Sequence, residues 1–391
     1  MERPPLRFGR NEFAGALGDL GTDTPLIVLL VLVCKMNVGS VLILFGVCQI
    51  IAGLAYRLPI PVQPLKAVAA IALAENISGG VLAGGGLAVG LLMLALCLTG
   101  GLGLVERVIP KPVVRGLQFG LGIKLALLAL GRYLPEQGPH GYVLGAVAFL
   151  VVILLRDNRS RPAAPFVLAL GLLYLAVSGK LAGIPFQPDF GRLHPQTPSP
   201  GDILTGLVVL AIPQLPLSLG NAVLATKQTV GDLFPGREVS TQKLGLTYSL
   251  FNIVVPLFGG IPVCQGSGGV AGFYAFGART GGSVIIYGSM WLLGGLFFSQ
   301  GLFGLMAVFP KSILAVLLLV QAITLMQLSR DMAARSRDFF VVLVVGLLAV
   351  GLPHGFCIGM VVGAVLNAWL NWNEKKAEPA AASDEQSESN H

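Results

Sequence analysis

The chain has 391 residues, 54% of them hydrophobic and 12% charged, with a mean hydropathy of +0.79 and a formal net charge of +7. That composition lies outside the soluble globular range and marks a polytopic membrane protein. The positive charge does not make it a nucleic-acid binder, because Lys and Arg stand singly between apolar runs and form no basic stripe with interleaved aromatics.

Residues 1–12 are polar, with Arg3, Arg7 and Arg10, and read as a cytoplasmic lead-in; the apolar stretch after them is too long for a cleavable signal. A crossing needs about 20 mostly apolar residues. Full-length candidates lie at 13–34, 38–57, 81–105, 112–131, 141–155 and 163–180. After an outside linker at 181–201 they resume at 202–226, 240–258, 283–308, 312–328, 336–351 and 354–372. Two shorter runs, 65–75 and 266–276, cover only about half of a ~30 Å hydrocarbon core and are expected to be half-helices. From 373 to 391 the sequence turns to Glu, Lys, Ala, Ser and Asp without periodicity, which predicts a disordered cytoplasmic tail.

The half-helices are preceded by an echo. Ile60-Pro61-Val62-Gln63-Pro64-Leu65-Lys66 returns 201 positions later as Ile261-Pro262-Val263-Cys264-Gln265-Gly266-Ser267. Leu20-Gly21 returns as Leu219-Gly220, and Pro110-Lys111 as Pro310-Lys311. In a membrane protein, short Pro/Gly-interrupted segments at corresponding places in two halves point to a transport site. Each half, 13–180 and 202–372, holds seven segments, and an odd number makes the second half enter the membrane inverted. Charge placement agrees: with the N-terminus inside, nineteen of the 26 Lys and Arg fall in inside loops and tails, Arg115 among them. Five fall outside, and Lys66 and Lys124 lie within spans.

A half-helix that starts at mid-membrane presents unpaired backbone N–H groups and the positive end of its dipole. Two such ends facing each other suit an anion. The first carries Gln63 and Lys66; the second carries Gln265, Gly266, Ser267 and Gly268, where glycines admit a ligand to the backbone. Close helix packing is the plain alternative for the glycine run, and snorkelling to an interface for Lys66. Asp19, Thr22 and Asp23, at i, i+3 and i+4, share one helix face. The carboxylates suit proton or cation coupling; capping or pairing, for Asp19 with Lys66, is the alternative. The counterpart segment, with Pro213, Pro216, Ser218 and Asn221, is uncharged, and its prolines should disturb regular helix geometry. Lys124 has no evident partner and receives no role. The sequence lacks hydrolase, metalloprotease and P-loop motifs and any Cys/His ligand cluster, so no catalytic residue, metal or cofactor is expected. His140, His194, His354 and His391 lie at or near loops or the tail.

At these motifs the chain resembles the molybdate-transporter branch of the sulfate-permease (SulP) superfamily. The matching stretches are Gly15 to Thr22, Pro61 to Ala67, Pro213 to Asn221, Gly259 to Cys264 and Gly277 to Gly282, in order, within a likeness running from about Arg7 to Trp372. The resemblance implies an all-α polytopic membrane protein of 14 transmembrane segments in a 7+7 inverted repeat, uracil-permease/SulP-like, with half-helices 3 and 10 preceded by short extended strands. It implies a core domain, 13–108 plus 202–308, that moves as an elevator against a gate domain, 109–180 plus 309–372. The tail is too short for the STAS domain of the wider superfamily, so none is expected, which also resembles the molybdate branch.

The function this implies is secondary active transport of a tetrahedral oxyanion, molybdate first and sulfate second, in the cell membrane with both termini cytoplasmic. Gln63, Lys66, Gln265, Gly266, Ser267 and Gly268 would bind the anion, Thr22 and Asn221 would complete the pocket, and Asp19 or Asp23 would couple a proton or cation. A homodimer is allowed as an assembly. Four positions depart from the family pattern: Gln265 stands where it has His, Asp23 replaces an apolar residue, and Phe273 and Ala275 replace a polar pair. The rivals are a passive anion channel and another anion or nucleobase permease of the same fold.

Overall fold

The computed structural model describes residues 5–155, 163–185, 187–353 and 355–388, with side chains at 73, 74 and from 373 onward outside the description. Arg156, Arg159, Arg161 and His354 therefore lie outside the described residues.

The first half runs through α1 (Arg10–Ala16), α2 (Leu20–Val33), α3 (Val38–Tyr56), β1 (Gln63–Pro64), α4 (Lys66–Glu75), α5 (Gly79–Leu98), α6 (Gly101–Val108), α7 (Lys111–Leu128), α8 (Gly138–Leu154) and α9 (Ala163–Val177). The second runs through α10 (Pro200–Gly206), α11 (Ile212–Leu217), α12 (Thr226–Leu233), α13 (Thr241–Val254), β2 (Val263–Cys264), α14 (Ser267–Ala275), α15 (Gly282–Phe297), α16 (Ser299–Val308), α17 (Lys311–Gln327), α18 (Ser336–Gly351) and α19 (Gly355–Glu388).

Several expected spans are broken helices. The first, 13–34, is α1 and α2 meeting at a 42° bend. The run 81–105 divides into α5 and α6 at Gly100, whose φ of 76° is left-handed, and 283–308 divides into α15 and α16 at Phe298, which leaves the helical region. The run with two prolines stays continuous from Pro200 to Leu233 and extends past the expected end at 226. It contains π-helical turns at Leu207–Ala211 and Ser218–Ala225, because a proline without an N–H cannot close the i→i−4 ladder and the neighbouring bonds lengthen in register. Among the described residues six helices are long and apolar enough to cross a bilayer, or seven with the bent first pair; one apolar run, Lys111–Leu154, has the length of two crossings. The final helix continues through the stretch expected to be a tail.

Packing repeats with the sequence. Helix α3 lies along α15, and its counterpart α13 lies along α5, the counterpart of α15. Helices α7 and α17, which both start after a Pro-Lys pair, pack on each other. The linker is tied down at Asp189, whose carboxylate accepts from Ser299 N, Ser299 Oγ and Gln300 N at 2.5, 2.6 and 2.9 Å.

The echo is where the halves meet. Strands β1 and β2 pair antiparallel, with Gln63 opposite Cys264 and Pro64 opposite Val263, so Gln63 faces its own counterpart in the repeat. A two-fold relation between inverted halves requires this pairing. Each strand is held the same way. The Gln49 amide accepts from Val62 N at 2.8 Å and donates to Val62 O at 2.6 Å; the Asn252 amide accepts from Val263 N at 2.9 Å and donates to Val263 O at 2.6 Å. All four residues are fully or almost fully buried, so these bonds satisfy backbone groups that no water reaches.

Candidate functional site

The strand pair aims two helix starts into the middle of the protein. Leu65 and Gly266, the residues before α4 and α14, are extended, and neither start has a side-chain cap. Their first-turn N–H groups are therefore available to a ligand, with the dipoles of a 10-residue and a 9-residue helix behind them.

At the first start, Gln63 acts as a bridge. Its Nε2 donates to both Asp19 oxygens at 2.8 and 2.7 Å, and its Oε1 accepts from Lys66 Nζ at 3.1 Å. Chemistry fixes the amide's orientation, since a carboxylate only accepts and an ammonium only donates. Lys66 is thus held in place without a direct ion pair among the described residues, half-buried, with its charge one amide away from Asp19. Asp19 accepts a further bond from Gln321 Nε2 at 3.3 Å, and Gln321 Oε1 accepts from Thr22 Oγ1 at 3.1 Å.

At the second start, Ser267 Oγ donates to Asn221 Oδ1 at 2.8 Å, and Thr226 Oγ1 donates to both Gln265 O and Asn221 O at 2.7 and 2.9 Å. Gly266 sits between the two ends. A Cβ there would lie 2.7 Å from Asn221 Nδ2 and 2.7 Å from Gln63 Oε1, so any side chain would have to displace both amides from the junction. Lys66, Gln214, Ser218, Asn221 and Cys264 line a narrow cavity against this junction, too small to hold a water molecule. Gly266→Val should abolish anion binding while leaving most of the helical content, checked by ligand-induced thermal stabilisation beside circular dichroism.

The predicted residues do not all converge. Lys66 and Asn221 share the cavity, with Gln63, Gly266 and Ser267 in contact around it. Gln265 is tied elsewhere: its Oε1 accepts from Tyr56 Oη at 3.2 Å and Thr247 Oγ1 at 2.9 Å, and its buried Nε2 has no partner among the described residues. Thr22 engages Gln321 rather than the cavity wall. Gly268 also lies beside Gln321. Asp23 sits one helical turn beyond Asp19, fully buried, and accepts from Tyr287 Oη at 2.9 Å. Lys124 stands over the Phe356 ring, 4.9 Å from its centroid.

Gln321, Gln214 and Tyr287 escape a reading of sequence alone. Their only signal is a lone polar group inside an apolar span, a weak mark until tertiary contact supplies the partner.

The profile of the family "Molybdate transporter of MFS superfamily" matches residues 11–125 and 206–325, which contain both helix starts and Gln321. The chain belongs to this molybdate transporter family. Molybdate transporter 2 of Arabidopsis thaliana is 33% identical over 91% of this chain and 87% of its own length, and Molybdate transporter 1 of the same plant is 31% identical over 95% and 90%. Among solved structures, the transmembrane domain of the cyanobacterial bicarbonate transporter BicA superposes with a TM-score of 0.59 at 15% identity, covering 93% of this chain and 98% of that one. The inward-facing murine anion transporter Slc26a9 gives 0.61 at 13% identity, over 95% and 69%. At such identity these two show the fold alone, a 7+7 inverted repeat that this molybdate transporter family member shares. Its family is one of transporters and not of enzymes.

Proposed function

We propose that this chain is a secondary active transporter of a tetrahedral oxyanion, molybdate first and sulfate second, working by elevator-type alternating access in the cell membrane with both termini cytoplasmic. The observation that carries the reading is the convergence of two uncapped helix starts, one from each inverted half, on a junction that holds one fixed cation, Lys66. Backbone N–H groups, the Asn221 amide nitrogen, whose oxygen Ser267 holds, and the ammonium supply the donors a dianion needs in a site with little water. Gln63 and Asp19 position Lys66 and keep the empty site near neutrality, which limits the cost of an unpaired charge in the membrane. The two packing sets support a core that slides against a gate: α3, α5, α13 and α15 in one, α7, α17, α18 and α19 in the other. Gln321 of α17 reaches Asp19 across that boundary and gives the gate a contact with the site.

Proteoliposome uptake tests the reading. Molybdate should accumulate above its outside concentration when an inward proton gradient is imposed, and sulfate in excess should compete. Uptake that only equilibrates would identify a passive channel; failure of every oxyanion to enter or compete would overturn the reading.

A further inference from the structure

Asp23 is a carboxylate that the anion site does not use. It is 0% exposed, its Oδ2 accepts from Tyr287 Oη at 2.9 Å, and its Oδ1 has no hydrogen-bond partner. Tyr287 is itself fully buried among aromatic rings, with centroids 5.5 Å from Phe273, 5.6 Å from Trp291 and 6.4 Å from Phe45, all edge-on. Asp19, one turn away and equally buried, has a different set of partners: Gln63 and Gln321 donate three bonds to it, and Lys66 lies one amide distant.

From this contrast we infer that Asp23 is the proton-binding site that couples transport, while Asp19 stays ionised and positions Lys66 through Gln63. This deepens the transport reading above and rests on it. A bare carboxylate with one donor in an apolar shell costs several kcal/mol, and holding a proton on the free oxygen removes most of that cost. The titratable or charged groups facing Asp23 are Asp19 on its own helix, Lys66 on α4, Tyr287 on α15 and Cys264 on β2. Only Lys66 among them is a cation, and it is engaged with Gln63.

The step balances simply. A proton from water on the entry side forms the Oδ1–H bond, and the same bond breaks to water on the exit side. Anion and proton favour each other, because protonation removes a negative charge close to the incoming dianion; by linkage the anion raises the site's hold on its proton by the same factor. Anion affinity therefore rises as pH falls.

The test is molybdate binding by calorimetry to the purified full-length chain in nanodiscs at pH 6 and pH 8, with and without sodium ions. The unaltered protein should bind about tenfold more tightly at pH 6, a coupling within the usual range. Asp23→Asn should bind with one affinity at both pH values, and Asp19→Asn should bind more weakly but keep the pH dependence. Tyr287→Phe removes the donor that stabilises the charged carboxylate and should move the pH midpoint upward, which keeps the assignment testable if Asp23→Asn does not fold. Equal affinities at the two pH values in the unaltered protein would overturn the assignment. So would pH dependence that survives in Asp23→Asn, or a requirement for sodium in place of protons. Absence of molybdate binding at either pH would overturn the transport reading and the assignment with it.

Discussion

Lys66→Ala should weaken molybdate binding by roughly 10- to 100-fold, the equivalent of one charge-assisted hydrogen bond of about 1.5–3 kcal/mol. Lys66 is the fixed cation at the junction, and its removal leaves the dianion facing neutral donors and two helix dipoles. The same substitution should leave the protein folded, because Lys66 is half-buried and hydrogen-bonds to a side chain that keeps its contact with Asp19. Lys66→Arg should recover only part of the affinity, since a planar fork does not replace a compact ammonium. Equilibrium binding with thermal melting as a folding control reads both effects. Unchanged affinity would remove Lys66 from the site.

Arg115→Met should lower the melting temperature by several degrees without touching the anion junction. The Arg115 side chain is 2% exposed. Its Nε donates to the Asp331 oxygens at 3.0 and 3.2 Å, one terminal nitrogen donates to Asp331 Oδ2 at 2.6 Å, and the other to Asp232 and, at 3.1 Å, to Gln118 Oε1. Lys111 adds an ion pair to Asp331 at 2.9 Å. Removing one member of a buried cluster typically costs about 3–5 kcal/mol; Asp331 and Asp232 keep some contact with solvent, 36% and 20%, so about 2–3 kcal/mol is expected here. Arg115 lies on α7 and Asp232 on α12, so the cluster ties a first-half helix to the end of the Pro200–Leu233 run of the second half. Adding Asp232→Asn to Arg115→Met should cost little more than Arg115→Met alone. Additive losses would show that the two residues act independently.

This cluster also marks the limit of what sequence makes legible. Arg115 reads as one more inside-loop cation, yet its side chain is buried in α7, and its partners lie 117 and 216 residues away. No local pattern announces such a pairing. The half-helices are the opposite case. Their expected bounds, 65–75 and 266–276, match Lys66–Glu75 and Ser267–Ala275 closely, because proline and glycine act on their immediate neighbours and leave a local mark. The short extended stretches before both half-helices were legible for the same reason, whereas their pairing with each other is seen only in the structure. The helix breaks at Leu17–Asp19 and Phe298 are flanked by Gly18 and Asp19 and by Ser299 and Gln300, yet Gly and single polar residues also occur inside unbroken spans of this chain, so these residues alone did not mark a break. Gln265 was legible as a polar group at the right address but not in its orientation, which Tyr56 and Thr247 set from distant helices.

The two helix starts should hold the anion between them. A structure of the full-length chain with molybdate, located by the anomalous scattering of molybdenum, tests it most directly. The expected result is one peak within hydrogen-bonding reach of Lys66 Nζ and the first N–H groups of α14, beside Ser267 and Asn221. A peak elsewhere in the protein, with that junction empty at saturating molybdate, would contradict it.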